Sequence, residues 1–166
     1  MNNQKIYALD PIIDKHSRIL ILGSIPGRQS LIKQQYYGNK QNHFWPILFT
    51  IFDQEEIESY DEKIEFLQDK RIALWDTIGS CYREGSLDSK IIEAEPNPLH
   101  DLLSQYPNIQ KIGCNGVKSY QTFQKHFPHL MNQYDVRKLP SSSPIPGRYT
   151  KTFQEKVAIW KELIVS

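Results

Sequence analysis

Short apolar runs alternate with longer amphipathic segments along this chain. Four runs carry clustered apolar residues and are each followed at once by Gly, Asp, Asn or Pro, which is typical of buried strands that end in a loop. These runs are residues 17–22, 71–75, 111–114 and 134–139. The pattern therefore predicts four short strands, the first of them buried and parallel to its neighbours.

The segments between these runs carry apolar residues three or four positions apart, which predicts helices. The predicted helices are residues 30–35, 42–52, 61–69, 99–106, 118–126 and 150–164. Strands that alternate with helices predict a three-layer α/β sandwich, in which a central, mostly parallel four-stranded sheet is flanked by helices. A chain of 166 residues suits one such domain, covering residues 1–166.

Loops at the carboxyl ends of the predicted strands are the expected ligand site, because open α/β sheets bind ligands there. This rule selects residues 23–30, 75–80, 115–118 and 140–148, and each of these segments is rich in Gly, Ser, Pro or Asn.

Composition narrows the function classes. The net charge of +1 gives no global sign of a polyanion partner, so any nucleic-acid binding must use a local patch. The two cysteines, Cys81 and Cys114, are too few for a disulfide scaffold and fit a reducing cytosol. Without a signal peptide or a long apolar run, a cytoplasmic protein with no membrane partner is expected. No metal and no cofactor are expected, since HExxH and clustered Cys/His spacings are missing.

The first candidate site is the loop Gly23-Ser24-Ile25-Pro26-Gly27. Two glycines and a proline directly after a strand form a tight turn whose backbone N–H groups can hold a phosphate or a polar base edge. A plain strand-to-helix turn is the alternative. The glycine spacing matches neither a Walker loop nor a dinucleotide fingerprint.

The second candidate is residues 35–45, in which four aromatic residues are interleaved with two asparagines, a lysine and a histidine. Aromatic faces stack on bases, and amides match the donors and acceptors of base edges. A hydrophobic patch is the alternative.

The third candidate is residues 138–148, where serines and prolines predict a rigid loop with many short donors. Such a loop suits phosphate contacts, and its apolar tip can wedge into a base stack. A rigid surface loop without function is the alternative.

Taken together and in this order, the three segments resemble the uracil-DNA glycosylase superfamily. The match is best to its hypoxanthine-DNA (deoxyinosine) glycosylase branch, with Gly-Ser-x-Pro-Gly-x-x-Ser, Tyr-Tyr-Gly-Asn-x-x-Asn-x-Phe-Trp and Leu-Pro-Ser-x-Ser-Pro all present between residues 17 and 160. Ile25 stands where many members carry a water-positioning Asn or Asp. Leu139 stands where uracil-specific members carry a histidine. Both departures agree with the hypoxanthine branch.

The resemblance implies a uracil-DNA glycosylase-like fold and a monofunctional glycosylase of base excision repair. Its partner would be double-stranded DNA with a damaged base, which is flipped into a pocket and attacked by water. Asn39 would be catalytic, orienting the water toward the sugar, and Phe44 would stack on the flipped purine. The full base pocket would consist of Ser24, Ile25, Pro26, Gly27, Tyr37, Asn42, Phe44, Asp76 and Asn115.

Several finer roles follow from the same resemblance. Asp76 would read the base edge, although capping the next turn is an equal alternative, and the Asn115 amide would stabilise charge on the leaving base. The DNA contacts would be Arg28, Ser30, Ser141, Ser142, Ser143, Pro144, Ile145 and Arg148. The chain is expected to act as a monomer.

Three other functions stay open at this point. They are a uracil- or mismatch-specific glycosylase of the same superfamily, a catalytically inactive DNA-binding relative, and a small-molecule hydrolase on the same scaffold.

Overall fold

The computed structural model describes residues 4–145 and 150–165. Its strands are β1 (Lys5–Tyr7), β2 (Ile19–Gly23), β3 (Ile72–Asp76), β4 (Ile78–Tyr82), β5 (Ile92–Pro96), β6 (Lys111–Asn115) and β7 (Asp135–Leu139). Its helices are α1 (Arg28–Lys33), α2 (Phe44–Ile51), α3 (Tyr60–Asp69), α4 (Leu99–Gln105), α5 (Val117–His126) and α6 (Phe153–Val165). Two short 3₁₀ turns cover Asp88–Lys90 and Pro128–Asn132.

The central sheet has the strand order β3-β2-β6-β7, and every neighbouring pair is parallel. Gly23 is aligned with Asp76, and Asn115 is aligned with Leu139. The last residues of all four strands therefore meet at one edge of the sheet. The predicted four-stranded parallel sheet is confirmed.

Each face of this sheet supports its own hydrophobic core. Along β2, Ile19 and Ile21 pack toward α2, α3 and α6, whereas Leu20 and Leu22 pack toward α4 and α5. Burial on both faces explains why β2 is apolar at every position rather than at alternate positions. The predicted three layers are therefore confirmed.

A second sheet was missing from the sequence prediction. Strands β1, β4 and β5 pair antiparallel in the order β1-β4-β5. Thr77 and Ile78 donate backbone hydrogen bonds to the carbonyls of Gly23 and Ser24, at 2.9 and 3.0 Å. The second sheet therefore holds the loop that follows β2.

Several smaller expectations are also addressed by the structure. Cys81 and Cys114 are both buried and form no disulfide. Within the part of the chain that the structure describes, no helix is long and apolar enough to cross a bilayer.

Gly113, in the middle of β6, provides a test of the packing between the sheet and α6. A methyl group at this position would lie 2.6 Å from Leu163 and 2.7 Å from Leu139. We expect Gly113→Ala to lower the free energy of unfolding by about 1–3 kcal/mol through overpacking, as measured by urea denaturation. Gly27→Ala is the matched control, because a methyl group there meets nothing closer than 3.8 Å. Equal unfolding free energies for the two variants would contradict the packing described.

Candidate functional site

A cavity of about 410 Å³ opens at the carboxyl edge of the central sheet. Four segments form its walls. They are the loop after β2, the aromatic segment of residues 35–45, the serine loop of residues 141–145 after β7, and the turn of residues 86–89 before β5. Among the described lining residues are Gly23, Ser24, Ile25, Pro26, Gly27, Arg28, Ser30, Tyr37, Asn39, Asn42, Asp76, Ser86, Leu87, Asp88, Ser89, Asn115, Ser141, Ser142, Ser143, Pro144 and Ile145. The structure thus brings most of the predicted site residues to one place.

Asp76 lies at the floor of the cavity. It is the last residue of β3, is only 4% exposed, and its Oδ2 atom is buried without a hydrogen-bond partner. A methyl group on Gly23 would lie 2.5 Å from Asp76 Oδ1 and 3.2 Å from the Tyr37 hydroxyl. Glycine at position 23 therefore leaves the space that the carboxyl and the phenol occupy.

The surroundings of Asp76 disfavour its charged form. Burial, and after it the nearby Asp88, raise the pKa of the Asp76 carboxyl, Arg83 opposes the change, and the result is a pKa of about 7. A large share of Asp76 is therefore a neutral carboxylic acid at neutral pH. An unpartnered carboxyl oxygen in the cavity wall also favours a ligand contact over the alternative role as a turn cap.

Tyr37 forms an aromatic wall of the cavity. Its ring stacks on Phe44 with centroids 4.0 Å apart and planes 15° apart, and its backbone has a φ of 53°. Such a left-handed backbone is uncommon for an aromatic residue and is typical of functional loops. Burial raises the pKa of the Tyr37 phenol well above its usual value, so the hydroxyl stays protonated.

The prediction that Phe44 contacts the ligand is wrong for this conformation. Phe44 is 0% exposed and is absent from the described residues that line the cavity. Tyr37 covers its face, because the left-handed turn at Tyr37 folds the aromatic segment back over α2. Tyr37 therefore forms the surface of the cavity wall, and Phe44 packs behind it.

Asn39 lies exposed at the mouth of the cavity, and the loop that carries it is held at both ends. The Gly38 N–H donates to the Ser30 hydroxyl at 3.0 Å, and Lys33 Nζ donates to the Gly38 carbonyl at 2.9 Å. The Asn39 side-chain oxygen accepts from the Gln41 N–H at 2.9 Å. These bonds fix the position of the Asn39 amide at the mouth.

The structure also corrects the prediction that Ser30 contacts DNA. It is buried, and its hydroxyl is engaged with the Gly38 N–H rather than exposed to a phosphate. The spacing of the motif placed Ser30 near the site correctly, but α1 turns its side chain inward. Ser30 therefore positions the loop of Asn39.

Asn115 holds the serine loop against the end of β6. Its Nδ2 donates to the Ser142 hydroxyl at 2.9 Å and to the Tyr37 hydroxyl at 3.2 Å, while its Oδ1 accepts from the Ser142 N–H at 2.9 Å. Ser142 is only 1% exposed, so the prediction that its side chain contacts DNA is wrong. Both Asn115 N–H groups are used in these bonds, while Asn115 lines the cavity, so its contact to a leaving base stays a prediction.

The rest of the serine loop faces outward. Ser141 Oγ accepts from the Ser143 N–H at 3.1 Å, and Ser143 Oγ accepts from the Ile145 N–H at 3.2 Å. These short turns present Ile145, which is 48% exposed, beside the cavity, with Pro144 half-buried before it. Arg148 lies outside the described residues.

The turn before β5 was not identified from the sequence. Ser24 Oγ donates to Asp88 Oδ1 at 2.7 Å, and the Arg28 N–H donates to the Ser86 hydroxyl at 3.0 Å. Arg83, which is buried, donates to the Pro26 carbonyl at 2.8 Å. These contacts close the fourth wall of the cavity. The residues involved form no spaced motif, so only the three-dimensional structure brings them to the loop.

Two predicted residues complete the rim. The side chain of Ile25 is buried in a small core with Ile78, Cys81 and Ile91. Only the backbone of Ile25 can therefore offer polar groups to the cavity. The Asn42 side-chain oxygen accepts from the Phe44 N–H at 2.9 Å and so starts α2 at the edge of the cavity.

The sequence of this chain is similar to those of known DNA glycosylases. The family model of the uracil DNA glycosylase superfamily matches residues 11–164. A hypoxanthine DNA glycosylase from Methanosarcina acetivorans is 38% identical over 142 residues, which cover 84% of this chain and 87% of the relative. A hypoxanthine DNA glycosylase from Methanosarcina barkeri is 36% identical over 155 residues, which cover 92% and 93% of the two chains.

A solved structure has the same fold. It is the solution NMR structure of a Methanosarcina acetivorans protein provisionally described as a uracil DNA glycosylase. The TM-score is 0.80 at 34% sequence identity, and the match covers 96% of this chain and 99% of the other.

The hydrogen bonds of Asn115 provide a test of how the serine loop is held. We expect Asn115→Ala to lower the free energy of unfolding by about 1–3 kcal/mol, because it leaves the Ser142 N–H and hydroxyl without their partner. Hydrogen exchange at Ser142 should accelerate at the same time. Asn132→Ala, at an exposed position of the second 3₁₀ turn, is the control and should change neither quantity. Unaltered exchange at Ser142 in Asn115→Ala would show that the loop is held by other contacts.

Proposed function

Because this chain belongs to the uracil-DNA glycosylase superfamily, we propose that it removes hypoxanthine from deoxyinosine in double-stranded DNA, as a monofunctional glycosylase of base excision repair. The observation that carries the proposal is the cavity itself. It combines an aromatic wall at Tyr37, a buried carboxyl at Asp76 and an exposed amide at Asn39. Two relatives of similar length bear the name hypoxanthine DNA glycosylase.

The size of the cavity favours a flipped base. About 410 Å³ is enough to hold a single purine, and a base inside a duplex is out of reach, so the target base leaves the duplex to enter the cavity. Phe44 covers one face of Tyr37, and the part of the Tyr37 ring that lines the cavity stacks on the base. Base–aromatic stacking contributes about 1–3 kcal/mol per base and offsets part of the cost of flipping.

Asn39 acts where the sugar lies. The sugar stays joined to the DNA backbone, so its C1′ atom remains at the mouth, where Asn39 is exposed. The amide orients a water molecule toward C1′, and its contribution is positioning, since an amide is a poor base. The water oxygen bonds to C1′ as the bond between C1′ and N9 breaks. The electron pair leaves with the base, the attacking water loses a proton and the base takes up one, so the products are the abasic sugar and neutral hypoxanthine.

The remaining rim contacts the DNA. Ile145 is the exposed apolar tip and fills the space that the flipped base vacates. Ser141, Ser143 and the exposed Arg28 line the same cavity and suit phosphate contacts. Because the net charge is only +1, the attraction to DNA must come from this local contact. The monomeric state and the cytoplasmic location stay predictions.

A panel of labelled duplexes tests the proposed function. We expect single-turnover release of hypoxanthine from deoxyinosine, detected by alkaline cleavage of the abasic site, to be faster than release of uracil from deoxyuridine. Asn39→Ala should slow hypoxanthine release by about 100-fold or more, because the water is no longer oriented. Gln41→Ala is the control, since it keeps the backbone N–H that holds Asn39.

Three results would contradict parts of the proposal. Faster release of uracil would overturn the substrate assignment. Full activity of Asn39→Ala would overturn the catalytic assignment. Tight binding to abasic DNA without release of any base would indicate an inactive relative.

A further inference from the structure

A second cavity, of about 400 Å³, lies beside the base cavity, and Arg28 lines both of them. Arg83 and Glu84, which follow β4, line the second cavity, and the half-buried Ile6 and Leu31 give it an apolar surface. Neither the water attack nor the stacking of the flipped base uses this second cavity.

Arg83 carries a buried positive charge that no carboxylate pairs. It is only 8% exposed, its Nε donates to the Gly85 carbonyl at 2.9 Å, and its Nη2 donates to the Pro26 carbonyl at 2.8 Å. A guanidinium has five N–H donors, so these two bonds leave three without a partner among the described residues. In the same part of the chain, Asp88 and Asp76 attract Arg83 only from beyond ion-pair distance.

The missing partner of Arg83 is an anion. Buried charges in proteins are normally paired, because an unpaired one loses its hydration without compensation, and arginine cannot escape this cost by losing its proton. Arg28 adds a second guanidinium to the same cavity, and its exposed side chain forms no hydrogen bond with another described residue. Two guanidinium groups suit a phosphate, whose oxygens accept their paired N–H donors.

Glu84 is the acidic group of the second cavity, and its charge opposes an anion there. Glu84 is exposed, so water and salt screen its charge, whereas Arg83 is buried and screened much less. Among the described residues, Glu84 forms no ion pair with either arginine. Both guanidinium groups therefore stay available to a ligand.

We propose that the second cavity binds a phosphate of the deoxyinosine strand, next to the flipped nucleotide, between Arg28 and Arg83. The flipped base fills the first cavity, and Arg28 lines both cavities, so the strand that leaves the first passes Arg28 to reach the second. Binding this phosphate fixes the strand while the base is turned out of the stack, which offsets part of the cost of flipping. The phosphate site rests on the proposed function, because it takes DNA with a flipped base as the partner.

A scan with neutral methylphosphonate linkages tests the proposal. Each duplex carries 2′-fluoro-deoxyinosine and a single methylphosphonate in the same strand, placed at one of the linkages on either side of the lesion, and its Kd is measured by fluorescence anisotropy. At one linkage next to the lesion, the substitution should weaken binding of the wild type by about tenfold or more, because a charge-assisted contact is lost. The same substitution should have little effect on Arg28→Ala and on Arg83→Gln, since each variant already lacks part of the contact.

Two further variants separate the site from general charge effects. Glu84→Gln leaves both arginines in place and should tighten binding of the unmodified duplex by about twofold to fivefold, a gain that the same methylphosphonate removes. Arg28→Ala should reduce the slope of log Kd against log salt by about 0.9, the value for one phosphate contact. Arg18→Ala is the matched control, because Arg18 is exposed at the opposite end of β2, and it should change neither the scan nor the slope. Thermal unfolding of each variant shows whether the fold persists.

The possible failures are distinguishable. Release of hypoxanthine by a wild type in which no linkage responds to both arginine variants overturns the phosphate site alone. A response to Arg28→Ala without one to a folded Arg83→Gln places the phosphate in the first cavity and also overturns it. If Arg83→Gln does not fold, unchanged binding in Glu84→Gln overturns the site. Inorganic phosphate that protects the wild type from thermal unfolding, without any responding linkage, would assign the cavity to a free anion. The expected scan in a chain that releases no base would overturn the proposed function and leave the phosphate site standing.

Discussion

The close approach of the Asp76 carboxyl and the Tyr37 hydroxyl over the Cα atom of Gly23 is the constraint on which the site depends. The parallel register aligns Gly23 with Asp76, and a methyl group on Gly23 would lie 2.5 Å from that carboxyl. The neighbouring strand adds Asn115, whose amide binds both Tyr37 and the serine loop. Three adjacent strand ends thus converge on one small volume, which is the floor of the cavity.

This arrangement lowers stability locally for the sake of a binding site. Burying a polar group without a partner costs about 1–3 kcal/mol, and the left-handed backbone of Tyr37 adds a further cost of about 1–3 kcal/mol. The surroundings offset both costs. The two cores bury both faces of β2, and the second sheet and the Arg83 side chain hold the first loop from the other side. The rigid scaffold therefore maintains a floor that no isolated loop would keep.

The sequence predicted the central sheet well because its strands are short apolar runs followed by loop residues, a pattern with few alternatives. It did not reveal the second sheet. In β4, Gly79 and Ser80 interrupt the apolar pattern, and β5 is exposed along most of its length. The turn that carries Asp88 was missed for a different reason, because its contacts join residues more than fifty positions apart.

The motifs located the site but not the direction of each side chain. Asn39, Asp76, Ile145, Ser30 and Ser142 all line the cavity, but the hydroxyls of Ser30 and Ser142 are buried and bonded within the protein, and Phe44 lies behind the wall. Motif spacing specifies which residues come near a ligand. Whether a side chain points at the ligand depends on local backbone geometry, such as the positive φ at Tyr37, which an amino-acid pattern does not encode.

One measurement tests the central claim most directly: a crystal structure of this protein with a duplex that carries 2′-fluoro-deoxyinosine. The fluorine slows cleavage by destabilising the cationic sugar, so the flipped nucleotide stays intact. The account predicts that the purine ring stacks on Tyr37 inside the cavity, with the edge opposite N9 toward the Asp76 carboxyl. A base stacked directly on Phe44 with Tyr37 displaced, or a base bound outside the cavity, would contradict it.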